Sequence, residues 1–467
     1  MAATRFVNRE RELERLEDWW GDRNAQLALL WGRRRVGKTA LIQHFARNKP
    51  VIYHTGTSRP LVDELKALSR AVRTIAEPTF RDLSTRPFVD WSDCLDTLAE
   101  LAKKRPLLLV LDEFPELKGS ASELESVLRA FWDRVRSKTM LRILLSGSAV
   151  RTMSAIQQRR APLYGRFSLS LRLNPFDPRD AAKMLPQLKP AERALVWGVV
   201  GGIPLYLEWW DRSATVRRNI ERLVCTPGGR LLTEGDYVLA TEGGSSDLTR
   251  QVLYAVAAGR TKYNQIEQAV GTSPARVIDN LIELRILERV APVTDSLRRT
   301  RRRSYRIVDN FLAFWLSVVS KYRAEIDRGI GKTILTTVMA ELDDFMGPRW
   351  EEAFRQHLRR LVARGEIAKD VVAIGPFWTS GKDSVEIDAV VLAGRRRAAV
   401  LVGEAKWAKI VNGKRVRTDL ERKLAQLSTA ATVAPVPGKP LYAICAREKV
   451  TPARGVRAIT ARHIFPR

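Results

Sequence analysis

The chain has 467 residues, enough for about three domains at roughly 150 residues each. Hydrophobic residues make up 45% and charged residues 28%, ordinary values for a globular protein that exclude wholesale disorder. With 80 Lys and Arg against 52 Asp and Glu, the formal charge of +28 is the outlier: it is the electrostatic footprint of a nucleic-acid partner, although an arginine-rich composition from a GC-rich genome is the plainer source of the same charge.

Asn8 to Trp20 begins with an N-cap residue and repeats apolar residues at Leu13, Leu16 and Trp20, a helical spacing. Leu27 to Ala46, LALLWGRRRVGKTALIQHFA, joins an apolar strand to a glycine-framed basic loop and then to a helix. Gly32, Gly37, Lys38 and Thr39 fit the phosphate-binding pattern G-x-x-x-x-G-K-[ST], in the strand-loop-helix context that the pattern requires. Glycines let backbone N–H groups curl around phosphates, and the helix after the loop points its positive end at them. The candidate nucleotide contacts are Gly32, Arg35, Val36, Gly37, Lys38, Thr39 and Ala40. Lys38 would reach the β- and γ-phosphates of ATP, and the Thr39 hydroxyl would serve as a ligand to Mg²⁺.

Val51 to Thr55 reads as a strand, and Leu61 to Lys104 as mostly helical with an irregular middle near Pro87. Leu107 to Leu111 is a run of apolar residues, suited to a strand buried on both faces of a parallel sheet. Asp112 and Glu113 come next, a Walker B arrangement in which Asp112 would hold the Mg²⁺ and Glu113 would activate the attacking water. A third buried strand, Leu141 to Leu145, leads to Ser148, a candidate sensor of the γ-phosphate. Arg166, in PLYGR, is a candidate arginine finger, with a surface contact or a DNA contact as its other roles.

Asn174 to Val224 is helical and lid-like, with Pro204 in the stretch GGIPLYL. Thr226 to Ser246, rich in turn formers, is expected to separate the ATPase from the remainder of the chain. Leu248 to Ala258, Tyr263 to Val270 and Ser273 to Leu284 read as three helices, then Leu287 to Val293 and Ser304 to Val308 as a hairpin, together a winged helix. The hairpin tip, Leu297 to Arg303, is strongly basic and suits phosphate contacts, while Arg276 and Asn280 alone on the third helix argue against strong sequence specificity.

A second chemistry begins near Asp344, with a helix bearing Glu351 and Glu352. The strands Val385 to Leu392 and Ala398 to Trp407 carry Asp388, and Glu404 with Lys406. Residues two apart in a strand share a face, so Glu404 and Lys406 point the same way. Carboxylates set in apolar strands are costly to bury unless paired or metal-bound, so Asp388 and Glu404, with Glu351, are candidate ligands for Mg²⁺ or Mn²⁺. Lys406 would position or activate a water. The helix Thr418 to Leu427 offers Lys423 or Gln426 as accessory groups.

Three scattered cysteines, Cys94, Cys225 and Cys445, and four scattered histidines support neither a disulfide framework nor a zinc cluster, and a reducing cytoplasm fits best. The sequence reads without a secretory leader, and its longest apolar run, Phe311 to Val319, is about half the ~20 residues that a membrane span needs.

At the residues quoted, the chain resembles the archaeal-type STAND or AAA-related P-loop ATPases with a winged helix and a carboxy-terminal PD-(D/E)XK nuclease-like domain. Phe6 to Leu13 is similar to the leading segment of those ATPases, which lies against adenine, and Pro204 to the proline that packs on adenine in their lid. The tail resembles the nuclease superfamily in its helix glutamate, Asp388 and the E-x-K of Glu404 and Lys406, although isoleucine and not proline precedes Asp388. The resemblance implies an α/β fold: a P-loop parallel sheet at 1–172, a helical lid at 173–240, a winged helix at 245–310, a helical linker at 311–340 and an α/β nuclease-like domain at 341–467. It implies an ATP-hydrolysing, DNA-associated protein whose nucleotide state controls metal-dependent DNA cleavage. The alternative is an ATP-driven regulatory switch that binds DNA or protein and has an inactive tail. A third expectation is a purely signalling ATPase. A finger acting in trans from Arg166 would require a homo-oligomer.

Overall fold

The computed structural model describes residues 6–22, 26–75, 82–243, 246–381, 384–430 and 440–466. The chain divides into two compact units, Met1–Pro175 and Phe176–Arg467.

The first unit is built on a five-stranded parallel sheet: β1 (Gln26–Trp31), β2 (Val51–Thr55), β3 (Leu107–Asp112), β4 (Leu141–Gly147) and β5 (Leu169–Arg172), in the order β2-β3-β4-β1-β5. The three inner strands are almost wholly buried, as their apolar sequences require when helices cover both faces. The edge strand β5 instead alternates buried with less buried residues. Because β4 lies between β1 and β3, the carboxyl ends of the P-loop strand, the Ser148 strand and the Asp112 strand stand side by side. Ligands of open α/β sheets bind at that edge.

The second unit opens with helices at Pro178–Lys183, Pro190–Val200, Pro204–Trp209 and Val216–Leu223. Arg230–Val238 is also helical, and a π-helical turn, Leu239–Gly243, continues it, so most of the stretch expected as a separator is ordered core. Packing overrides the turn-forming composition: Leu231, Leu232 and Val238 are buried, and the Trp315 indole donates to the Leu232 carbonyl at 2.9 Å. Helices Asp247–Ala257, Tyr263–Val270 and Ala275–Glu283 precede an antiparallel pair, β6 (Leu287–Val290) and β7 (Ser304–Ile307).

One helix, Gly331–Ala363, then runs for 33 residues across the point expected to divide a linker from the tail. It leads into a second sheet: β8 (Val371–Trp378), β9 (Glu386–Ala393), β10 (Ala398–Lys406), β12 (Leu441–Ala446) and β14 (Val456–Thr460), in the order β14-β12-β10-β9-β8. The short strands β11 (Ile410–Val411) and β13 (Lys449–Val450) pair separately. Strands β8, β9 and β10 are antiparallel neighbours, whereas β12 and β14 add on in parallel, and the helix Gly413–Ala430 makes the crossover from β10 to β12. That helix extends beyond the expected Thr418 to Leu427 at both ends.

Arg193, fully buried, ties the second unit to its own carboxyl end. It donates to the carbonyls of Leu185 at 2.9 Å, Pro186 at 2.7 Å and Pro466 at 2.5 Å, and the Phe465 ring lies 5.9 Å from that of Trp197. Among the described residues no helix is long and apolar enough to cross a membrane.

Gly202 shows how closely this unit is packed, since a Cβ there would sit 1.9 Å from the carbonyl oxygen of Phe176. That oxygen belongs to the backbone and cannot rotate away. Gly202→Ala is expected to destabilise the chain by about 2–3 kcal/mol, read as a lower midpoint in denaturant unfolding.

Candidate functional site

The P-loop takes its shape from backbone conformations that its sequence permits. Gly37 adopts φ 91° and caps the helix Lys38–Ala46, while Arg35 stands at φ 68°, unusual for a residue with a side chain. Gly32 meets a different demand, because a Cβ there would fall 2.4 Å from the Leu173 carbonyl oxygen. The buried Lys38 ammonium donates to the carbonyls of Gly32 at 2.9 Å and Arg33 at 3.0 Å. Thr39 and Ala40 are exposed on the first turn of the helix and Val36 is buried.

Thr39 and Asp112, 73 residues apart, meet: the threonine hydroxyl donates to Asp112 Oδ2 at 3.1 Å. Asp112 is only 4% exposed, and a carboxylate so buried is costly unless donors such as this one satisfy it. Glu113 comes next at φ 49°, a strained conformation for a non-glycine residue of the kind that collects at functional sites. That turn lets its carboxylate accept from the Ser148 hydroxyl at 2.9 Å and from the Ser148 N–H at 3.2 Å. The oxygen and hydroxyl ligands offered by Thr39 and Asp112 suit Mg²⁺.

Arg166 stands apart. Its guanidinium makes a two-pronged pair with Asp133, at 2.9 and 2.8 Å, and also donates to the carbonyls of Pro162 and Tyr164. Pro204 begins the helix Pro204–Trp209 of the second unit.

Two residues of this site were not picked out in the sequence. Arg9, at φ 74° and 8% exposed, donates to the carbonyls of Val36 at 3.0 Å and Asn174 at 2.8 Å, fastening the leading segment to the P-loop. Beside it the Phe6 ring stacks on His44 of the P-loop helix with centroids 4.2 Å apart. Tyr53, on β2, donates to Asp112 Oδ2 at 2.5 Å. The resemblance in Phe6 to Leu13 was a signal for the first, but no local pattern marks a lone tyrosine on a strand.

Residues 6–209 match a family described as an ATPase domain predominantly from Archaea. Over that stretch the chain resembles an archaeal-type ATPase domain. Beyond it, residues 315–418 match a family of archaeal and bacterial proteins of unknown function. An uncharacterized protein of Methanocaldococcus jannaschii is 26% identical over 429 residues, 90% of this chain and 91% of that one. An uncharacterized ATP-binding protein of the same organism is 56% identical over 46 residues, 10% of this chain and 78% of that protein. A Walker-type ATPase of Pyrococcus abyssi aligns with a TM-score of 0.50 at 21% identity, covering 67% of this chain and 96% of that chain, a likeness of fold.

Far from residues 6–209 in sequence, the tail sheet gathers a second set of charged groups. Asp388 (β9) and Glu404 (β10) are 7% and 5% exposed on adjacent strands. Asp388 Oδ2 accepts from the Ala405 N–H at 2.7 Å, and Glu404 accepts from Lys406 at 2.7 Å and from Lys423 at 3.1 Å. Burial, and then the nearby Glu351 and Glu404, push the Asp388 carboxyl up to about 7.

The helix glutamates divide by their company. Glu351 is raised by burial and by Glu386, with Arg355 opposing at 3.5 Å. Burial also acts on Glu352, but Arg306, Arg355 and Arg359 outweigh it and hold the group down to about 2. Arg306 reaches Glu352 from β7 at 2.9 Å, and Arg355 donates both to Glu352 at 3.0 Å and to the Asp388 carbonyl at 2.8 Å. Glu351 is thus the carboxylate turned towards Asp388, while Glu352 belongs to an arginine cluster.

Among the described residues no three His, Cys, Asp or Glu groups are close enough to cage a metal ion. The tail donors therefore fit Mg²⁺ or Mn²⁺ only as an open oxygen site completed by water or phosphate.

The raised Asp388 carboxyl has a definite sign in stability. Between its ordinary value of 3.8 and about 7 the folded chain keeps a proton that the unfolded chain has lost, so stability falls as pH rises through that window. In metal-free buffer Asp388→Asn is expected to raise the unfolding midpoint at pH 8 and to leave it nearly unchanged near pH 4.

Proposed function

We propose that the chain hydrolyses ATP at the carboxyl edge of its first sheet and that its second unit acts on DNA. The observation that carries the ATPase part is the Thr39–Asp112 hydrogen bond, which joins the P-loop to the Walker B strand, with Glu113 next in the chain. In this reading Lys38 exchanges its two carbonyl partners for the nucleotide's phosphates. Gly32, Arg35, Val36, Gly37 and Ala40 line the cradle, and Thr39 and Asp112 hold the Mg²⁺ that neutralises phosphate charge. Glu113 takes the proton of the attacking water, which requires its carboxylate to loosen from Ser148. Ser148 would then be free to sense the γ-phosphate. For Arg166 to act as a finger it must leave Asp133, an exchange that a facing subunit or substrate could drive.

For the tail, the arrangement of Asp388, Glu404 and Lys406 on neighbouring strands, with Glu351 on the preceding helix, supports phosphodiester hydrolysis. Lys406 would orient the water, and Asp388 and Glu404 would hold Mg²⁺ or Mn²⁺ in a site open to water or phosphate, with Glu351 joining them only if it moves closer. The helix and strand order β8-β9-β10-helix-β12 favours a nuclease-like fold. The three short helices and the β6–β7 pair favour a winged helix, with Arg298, Arg299 and Arg301 exposed at its tip for phosphate contacts. Nucleotide state would set how these modules meet DNA. A second reading also has its observation: Glu404 is already neutralised by two lysines, as expected of a docking surface in an ATP-driven switch with an inactive tail.

Two variants test the ATPase. Glu113→Gln is expected to bind ATP as wild type does while turnover falls about a hundredfold or more, and Lys38→Ala to lose nucleotide affinity, both read by fluorescent-nucleotide titration and phosphate release. Cleavage of linear, circular and branched DNA with Mg²⁺ or Mn²⁺, with and without ATP, tests the tail. Cutting by wild type and none by Asp388→Ala supports the nuclease. Inert DNA with both chains, beside intact ATP hydrolysis, leaves the switch; in either case DNA affinity should fall steeply with salt.

A further inference from the structure

Asp112 is held by more donors than the nucleotide-binding motifs account for. Its Oδ1 accepts from the Glu113 N–H at 3.1 Å, and its Oδ2 accepts from both Thr39, at 3.1 Å, and Tyr53, at 2.5 Å. A carboxylate oxygen has two lone pairs, so these two hydroxyls fill Oδ2. Tyr53 reaches it through strand register: β2 runs parallel to β3, Tyr53 faces Val110, and residues two apart share a face, so the phenol extends along the sheet to Asp112.

The two hydroxyls are not equivalent. Thr39 must share its oxygen between Asp112 and the nucleotide's cation, whereas the Tyr53 hydroxyl, which also lies beside that of Thr39, belongs to neither nucleotide motif. We propose that Tyr53 is a positioning residue of the ATP-hydrolysing site, holding the Asp112 carboxylate in the orientation that receives the Mg²⁺ of Mg-ATP. The proposal rests on the ATPase assignment and extends it to a residue outside both nucleotide motifs. It makes cation affinity, not nucleotide affinity, the property that Tyr53 controls.

Tyr53→Phe in the full chain removes one oxygen and keeps the ring. Binding of a fluorescent ATP analogue is measured in EDTA and across a Mg²⁺ titration, beside steady-state turnover. The expected result is unchanged affinity in EDTA, an approximately tenfold rise in the Mg²⁺ concentration giving half-maximal response, and a lower kcat at unchanged KM for ATP. A Mg²⁺ dependence equal to that of wild type overturns the proposal and leaves Tyr53 a packing residue. Wild-type protein that binds no ATP under any condition overturns the ATPase assignment instead. Should the phenylalanine variant not fold, 3-fluorotyrosine placed at Tyr53 keeps the shape of the side chain. Its fluorine resonance should then shift when Mg²⁺ is added to the nucleotide complex, and a resonance that does not move overturns the proposal.

Discussion

A carboxylate taken out of water must be answered by donors or by cations, and that requirement organises both clusters of acidic residues in this chain. At Asp112 the donors seen are neutral: two hydroxyls and a backbone N–H reach the carboxylate. An anion arranged in this way keeps its attraction for an arriving cation. At Glu404 the answer is ionic, with two lysines on one carboxylate. At Asp388 it is incomplete, since burial and two neighbouring acids outweigh the Ala405 N–H and the nearby Lys406, and a carboxyl so placed tends to hold its proton.

Much of the first site was legible because its determinants are local. Glycines at fixed offsets, a lysine and a threonine at a helix start, and two acids after an apolar strand reflect rules acting within a few residues. Arg9 and Tyr53 escaped because their roles exist only across the fold. Arg9 reaches a carbonyl 165 residues away and Tyr53 a carboxylate 59 residues away, and no spacing in the chain encodes either. The left-handed backbone of Glu113 is likewise imposed by its surroundings. The tail shows the same division, for the E-x-K alternation could be read from strand geometry, whereas the contrast between Glu351 and Glu352 appears only once Arg306 arrives from another hairpin.

Composition misled where packing decided. Thr226 to Ser246 has the residues of a linker, yet Leu231, Leu232 and Val238 draw most of it into a helix. The basic hairpin tip is also less free than its charge suggests. Arg302 pairs with Asp295 and donates to the Trp378 carbonyl at 2.9 Å, and the Val293 N–H donates to Pro376 at 2.7 Å. The loop therefore covers part of the edge strand β8, whose unpaired backbone would otherwise invite another strand. Arg298, Arg299 and Arg301 remain outward, fixed in place by the arginine beside them.

The buried guanidinium of Arg193 bears on how the chain acquires its structure as it is made. Ribosomes release residue 193 long before residues 465 and 466, whose carbonyls are among its partners. Until those residues emerge, the helix Pro190–Val200 holds a cation that cannot be fully desolvated without loss, so the second unit can close completely only once residues 465 and 466 have been made. The five strands of the first sheet all lie within residues 26–172 and are made much earlier. Nascent protein thus passes through an interval in which these five strands have all been made while Arg193 still lacks two of its carbonyl partners.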